Sequence, residues 1–279
     1  MIKSIDVKTA ETKEIYQYLS NAITPRPIAF VSTINIKGNK NLSPFSFFNV
    51  FSVNPPVLIF SPVRRVRDNT SKHTLENVKE IKECVISLVT EEMGQQVSLA
   101  SCDFKEGVNE FEKAGFTELA SDIIKPSRIK ESPVNFECKV TDIIELGKEG
   151  GAGNLVLCEV LKIHVDNSVL DENNIIDPLK LKIISRHGKN WYGKTIEDSL
   201  YEIVKPISKI GMGIEQLPNT IKTSNILTGN DLAILASAES IPKKENFILR
   251  HNKNTLEKHI LAKDFLKEGK IEEAWQILL

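Results

Sequence analysis

The chain has 279 residues, 26% of them charged and 41% apolar, the proportions of a soluble globular protein rather than a disordered or fibrous one. A formal net charge of −1 provides no global field for nucleic acid or an anionic membrane, and no apolar run approaches the roughly 20 residues of a membrane helix. The start, MIKSIDVKTAETKE, has no apolar segment of the signal-peptide kind, and Cys84, Cys102, Cys138 and Cys158 form no CxxC pair, so a cytoplasmic protein with reduced thiols is expected.

Residues 9 to 20 suggest a short helix with Ile15, Tyr16 and Leu19 on one face. Thr24-Pro25-Arg26-Pro27 excludes helix, because each proline removes a backbone donor and holds its predecessor extended. Ile28 to Ile34 reads as a strand, Lys37-Gly38-Asn39 as a turn, and Asn41 to Phe48 as the returning partner. The segment from Ser43 to Asn49 lacks clean alternation and contains Pro44. On the residues alone a bulged edge strand over a hydrophobic core is the favoured reading. The functional alternative is a heteroaromatic ligand edge held by Ser46, Asn49 and backbone amides, with Phe48 as an apolar wall.

Val53 to Pro56 is a turn and Val57 to Phe60 a buried strand. In the basic stretch that follows, Thr74 suits a helix N-cap, with Asn77 placed to reach back as in a capping box. Lys72, His73 and Thr74 at a helix start, with Arg64, Arg65 and Arg67 just upstream, form a candidate phosphate cradle, since unpaired N–H groups and the positive dipole end gather there. The bland alternative is a simple cap beside a solvated basic loop.

Further along, Cys84 to Thr90 is a strand, Glu91 to Ala100 and Asn109 to Ala114 are helical, and Leu119 to Pro133 is expected to loop outward. Val134 to Leu146 and Leu155 to Val165 alternate as a hairpin across the glycines at 150, 151 and 153. Those glycines lack the strand–GxGxxG–helix setting of a dinucleotide site, as does Gly211-Met212-Gly213. Leu181 to Ser185 is a further strand, with Arg186 at its end. From Tyr201 onward the spacing becomes helical, and Gly269 separates the last two helices. The division expected is therefore 1–200 and a helical extension over 201–279. The five histidines show no clustered ligand spacing, and no GxSxG elbow or nucleophilic cysteine motif is present.

PRPIAFVST, NLSPFSFFN, NPP and KHTLEN, in this order and spacing, resemble the flavin reductase-like family of FMN-binding split barrels, which includes flavoredoxin and the reductase components of two-component monooxygenases. NEFEKAGF, PVNFECKV and ISRHGKNWY extend the resemblance over residues 15 to 195. One departure is His73, where the family often has Asp between Lys and Thr. The resemblance implies an α+β protein, mainly β: a split barrel followed by the helical extension. It implies that Ser46, Phe47, Phe48 and Asn49 line the isoalloxazine and ribityl, that Lys72, His73 and Thr74 hold the phosphate, and that Arg26 and Arg186 are further cofactor contacts. It further implies FMN rather than FAD, NAD(P)H as a transient co-substrate that reduces the flavin, and a homodimer with the cofactor near the subunit interface. The chemistry would then be the cofactor's, with no acid–base dyad required. A flavoredoxin-like electron carrier served by a protein donor or acceptor is the alternative, and a split-barrel interaction module without flavin a third.

Overall fold

The computed structural model describes residues 1–203, 210–244 and 254–279. Two compact units are present, Met1–Leu200 and Tyr201–Leu279.

In the first unit, α1 (Thr12–Ala22) leads into β1 (Ala29–Ile34) and β2 (Lys40–Phe45), a hairpin closed around Gly38, whose φ of +84° suits glycine. The returning strand is shorter than expected. It stops at Phe45, the chain bends at Ser46–Phe47, and β3 (Phe48–Val53) pairs instead with β4 (Pro56–Phe60). Pro44 stays within β2, opposite Phe30. It is tolerated because β2 is an edge strand with no neighbour on its outer side. Next come α2 (His73–Ile81), β5 (Glu83–Leu88), α3 (Gly94–Ala100) and α4 (Glu110–Ala114). The short pair β6 (Glu118–Leu119) and β7 (Arg128–Ile129) precedes the long hairpin β8 (Val134–Glu145) and β9 (Asn154–Val165). The unit closes with α5 (Pro178–Leu181) and the small hairpin β10 (Ile184–Arg186) and β11 (Tyr192–Lys194).

The region 119–133 is thus not simply an outward loop. Ile129 is fully buried, and Asn135 accepts from the Ile129 N–H at 3.1 Å and donates to the Ser132 carbonyl at 3.0 Å, folding the segment back onto β8.

Seven strands form one sheet in the order β2-β1-β5-β8-β9-β4-β3, antiparallel at every pairing. The edge strands β2 and β3 are consecutive in the chain, yet only Ser46 and Phe47 separate them. Three Cα–Cα steps reach at most about 11 Å, so the sheet has to curl until its edges meet there. The result is a barrel that is split along the β2/β3 seam. Bulges at Val50/Ser52, Glu137/Cys138 and Val140/Asp142 supply part of the bending.

Phe45, Phe60, Leu75, Val78, Ile86 and the thiols of Cys84, Cys138 and Cys158 fill the barrel. Phe30, Leu42, Val97, Phe111 and Ile129 pack on its other side under α3 and α4. Being covered on both faces, β1 has an apolar run without alternation. Cys102 is exposed, and all four cysteines are free.

The second unit is helical: α6 (Asn219–Lys222), α7 (Gly229–Ala236), α8 (Thr255–Lys267) and α9 (Ile271–Leu278) enclose Leu235, Ala262, Leu266, Ala274, Trp275 and Ile277. Thr228 with Asp231 and Asn254 with Glu257 form capping boxes at the starts of α7 and α8. Gly269, at φ +73°, turns the chain between α8 and α9. Among the described residues no helix is long and apolar enough to cross a membrane.

Candidate binding site

The bend that joins the two edges of the sheet also opens it. A cavity of about 250 Å³ lies at the seam, walled by the hydroxyl-bearing Ser43, Ser46, Ser61 and Ser101, by Phe47 and by Lys72. The Tyr16 ring of α1 tilts over Phe47 with centroids 6.5 Å apart. A second, more apolar cavity of about 330 Å³ adjoins it and shares Phe47 and Ser61; Phe48, Asn49, Ile59 and Leu155 complete the part that matters. The stretch Ser46–Asn49 is therefore brought together, but across two cavities. Asn49 turns its side-chain oxygen to the Val50 N–H at 2.8 Å, so its own backbone already uses that acceptor. Ser61 escaped the sequence reading, and its only signal was a small polar residue ending the apolar run of β4. It receives the Asn154 N–H at 3.1 Å, and its N–H donates to the Phe47 carbonyl at 2.8 Å, pinning the bend.

Residues 61–72 carry the site's positive charge. Backbone bonds between Arg64 and the β8–β9 turn, at 2.9 Å to the Ala152 carbonyl and 3.0 Å from the Gly151 N–H, strap this loop down. Arg64 itself is structural, since its guanidinium donates to Asn69 Oδ1 at 2.7 Å and closes the loop on itself. That leaves Arg65, Arg67 and Lys72 converging on a carboxylate that sequence reasoning missed. Asp103 lies 3.2 Å from Arg65, 2.9 Å from Arg67 and 3.3 Å from Lys72. Burial pushes the Asp103 carboxyl upward, but the Lys72 and Arg65 charges outweigh it and hold the group below its ordinary value.

The start of α2 differs from the capping box expected. Lys72 is the N-cap residue and no side chain caps the helix. Thr74 falls inside the first turn, on the inward face, where its hydroxyl donates to Asn41 Oδ1 at 2.6 Å. Asn77 likewise turns inward and donates to Thr33 Oγ1 at 3.0 Å. Both side chains are thereby committed to the sheet. Asn41 in turn donates to Glu110 at 2.9 Å, and the other Glu110 oxygen accepts the Leu42 N–H at 2.9 Å. Burial raises the Glu110 carboxyl above its ordinary value, opposed by these donors. This chain of bonds fixes α2 on β2, so that His73 and Lys72 start the helix beside Asp103.

Arg26 is buried at 7% exposure. It donates to the Ile23 carbonyl at 2.7 Å, to the Ser20 carbonyl, and to the His187 carbonyl at 3.3 Å, tying the end of α1 to β10. Its Nε stands 3.4 Å from Ser46 Oγ and its guanidinium carbon 6.0 Å from the Phe47 centroid. Burial, with the Arg186 charge nearby, lowers its pKa from the ordinary arginine value. Arg186 meets Arg26 through paired backbone bonds of 2.8 and 3.0 Å, but its guanidinium donates to the Lys189 carbonyl at 2.7 Å and stacks on Tyr192. It lines neither cavity.

Elsewhere, Asp122, Glu137 and His164 bring possible metal-ligand atoms within 4.8 Å of one another. Their lone pairs are already used. Glu137 accepts the N–H groups of Asp122 at 2.8 Å and Ile123 at 2.9 Å and contacts His164 Nε2 at 2.7 Å, while Arg128 meets His164 Nδ1 at 2.8 Å and Lys162 pairs with Asp122. The cluster is an ionic clasp for the segment after β6. His251 lies outside the described residues.

The fold and site together define a split β-barrel with a polar cavity, one cationic end and an aromatic wall at its seam. The chain matches the flavin reductase like domain over residues 21–182 and belongs to that family. Its function accordingly lies with flavin. A protein of Aquifex aeolicus (strain VF5) is 39% identical over 188 residues, covering 67% of this chain and 93% of the relative. Among solved structures, nitrilotriacetate monooxygenase component B from Bacillus cereus superposes with a TM-score of 0.68 at 28% identity, covering 73% of this chain and 99% of the other. A protein with a split barrel domain from Shewanella frigidimarina NCIMB 400 superposes with a TM-score of 0.61 at 21% identity, covering 71% of this chain and 95% of the other, a likeness that concerns the fold.

Proposed function

We propose that the protein is an FMN-dependent oxidoreductase of the flavin reductase type, taking reducing equivalents from NAD(P)H. The observation that carries this is the seam cavity, which joins a wall of serine hydroxyls and an aromatic wall to Lys72 at one end. Such a lining suits a flat heteroaromatic ligand with a single terminal phosphate, which favours FMN over FAD. In this reading Ser46 and Ser61 hydrogen-bond the polar ring edge, and Phe47 and Phe48 exclude water from its flank. Lys72, Arg65 and the N–H groups at the start of α2 attract the phosphate. Thr74 acts through Asn41, holding the helix start in place, and Arg26 orients Ser46 and Phe47 from beneath. When bound, flavin supplies the redox chemistry of the site; the protein binds, orients and shields it.

A homodimer is part of the proposal. Tyr16 and Leu19 of α1, Ile23 just after it, and Val50, Phe51 and Val53 of β3 are large apolar side chains between 55% and 86% exposed, and Tyr16 and Phe51 among them line the two cavities, as a surface meant for a second copy would be. The four free thiols agree with a reducing, cytoplasmic setting. The test is an absorption spectrum of the purified protein with FMN, recorded before and after NADH or NADPH without oxygen. Prompt bleaching is expected. A flavin spectrum that stays yellow favours the second reading, an electron carrier of the flavoredoxin kind served by a protein donor. A spectrum unchanged from that of free FMN in affinity measurements overturns both.

A further inference from the structure

Asp103 has a place that the flavin reading does not use. It lies on the loop between α3 and α4, and its carboxylate accepts from Arg65 and Lys72, the cations given above to the phosphate, and from Arg67 beside them. The two arginines do not need Asp103 to keep their positions. Arg65 also donates to Thr70 Oγ1 at 3.0 Å and to the Ser71 carbonyl, and Arg67 also pairs with Asp68 at 2.9 Å. A carboxylate so placed consumes the donors an incoming phosphate requires and repels that phosphate's charge.

Resting on the flavin reading, we propose that Asp103 is a specificity-determining residue. It competes with the ligand phosphate for Arg65, Arg67 and Lys72, and so sets how strongly the site prefers a phosphorylated flavin to riboflavin and how readily that flavin is released. A chain built this way keeps its flavin exchangeable, as suits a protein that treats flavin as a substrate. Coulomb repulsion between a carboxylate and a phosphate dianion about 6 Å apart, screened as fully as in bulk water, corresponds to about tenfold in affinity, which is the lower bound for this site.

The experiment titrates FMN and riboflavin separately into the full-length protein and its Asp103→Asn variant, following flavin fluorescence at low and at moderate salt. Asn keeps the size of the side chain, and a second variant, Asp103→Ser, guards against an effect particular to the amide. The expected result is FMN bound about tenfold tighter by both variants, riboflavin unchanged within twofold, and a smaller gain at higher salt. An unchanged FMN-to-riboflavin affinity ratio overturns the inference. A lower ratio does so too, by making Asp103 the residue that holds the cations in place. FMN that binds neither the native chain nor the variants overturns the flavin reading itself, and this proposal with it.

Discussion

Thr74 separates two accounts of the same residue. As a phosphate ligand, its hydroxyl would face the cavity; in the structure it donates to Asn41 Oδ1 at 2.6 Å and the residue is 1% exposed. Thr74→Val keeps the shape and removes only that donor. The cost has two parts, the lost hydrogen bond and a buried Asn41 oxygen left without a partner, together about 2 kcal/mol. For a unit of this size, that corresponds to a fall in melting temperature of about 4–8 °C. The assay is a thermal melt of native and Thr74→Val proteins, alongside FMN and riboflavin titrations below the melting range. The variant should melt lower, and both flavins should weaken alike and by less than fivefold, because α2 loosens without losing a phosphate contact. A double-mutant cycle with Asn41→Ala should show a coupling of about 1 kcal/mol or more. A variant as stable as the native protein that loses FMN affinity tenfold, with riboflavin affinity intact, would refute the reasoning.

Other consequences concern the cationic end and the ionic clasp. Lys72→Ala should weaken FMN about tenfold at low salt, with little effect on riboflavin, and should flatten the salt dependence of FMN binding measured by fluorescence. Gly150→Ala places a Cβ 3.0 Å from Val66 Cα and 3.1 Å from the Arg65 carbonyl oxygen, so the strapped loop has to shift. A loss of about 1–3 kcal/mol in denaturant unfolding is expected, together with weaker FMN binding. Glu137 is fully buried, and although burial pushes its carboxyl upward, the N–H groups of Asp122 and Ile123 and the His164 contact hold it below 4.5. A depressed carboxyl contributes stability that is present above its unfolded value and lost as the pH falls through the folded one. Glu137→Gln should therefore be less stable than the native protein at pH 7, by about 2 kcal/mol. The gap should narrow in melts below pH 4.5; a gap independent of pH would show that the charge is not what matters.

The local pattern of this chain was sufficient for most of its elements. Apolar runs, turn residues at Gly38 and around Pro55, the β8–β9 alternation and the change to helical spacing after Tyr201 are short-range features, and the strands and helices rest on them; the α+β split-barrel class came from the family resemblance. Ser46 and Phe47 of the motif NLSPFSFFN and Lys72 of KHTLEN line the seam cavity. What the sequence left open was decided by closure of the sheet. Nothing within residues 41–49 says that β2 and β3 lie on opposite edges; that follows from the pairing of β1, β5, β8, β9 and β4 between them. The capping box at Thr74 and Asn77 was a sound local pattern overridden from outside. The inward face of α2 meets Asn41 and Thr33, and a buried hydroxyl or amide is committed to whatever partner is buried with it. Asp103 carries no local signature and Ser61 only a faint one, since one acts through cations more than thirty residues upstream and the other through its place at a strand end. The sequence determined which elements form and which residue types gather near the site. Only the tertiary structure decided which side chains face the cavity and which are held by the fold, because hydrogen-bond partners distant in the chain, rather than neighbours along it, settle where a buried polar group points.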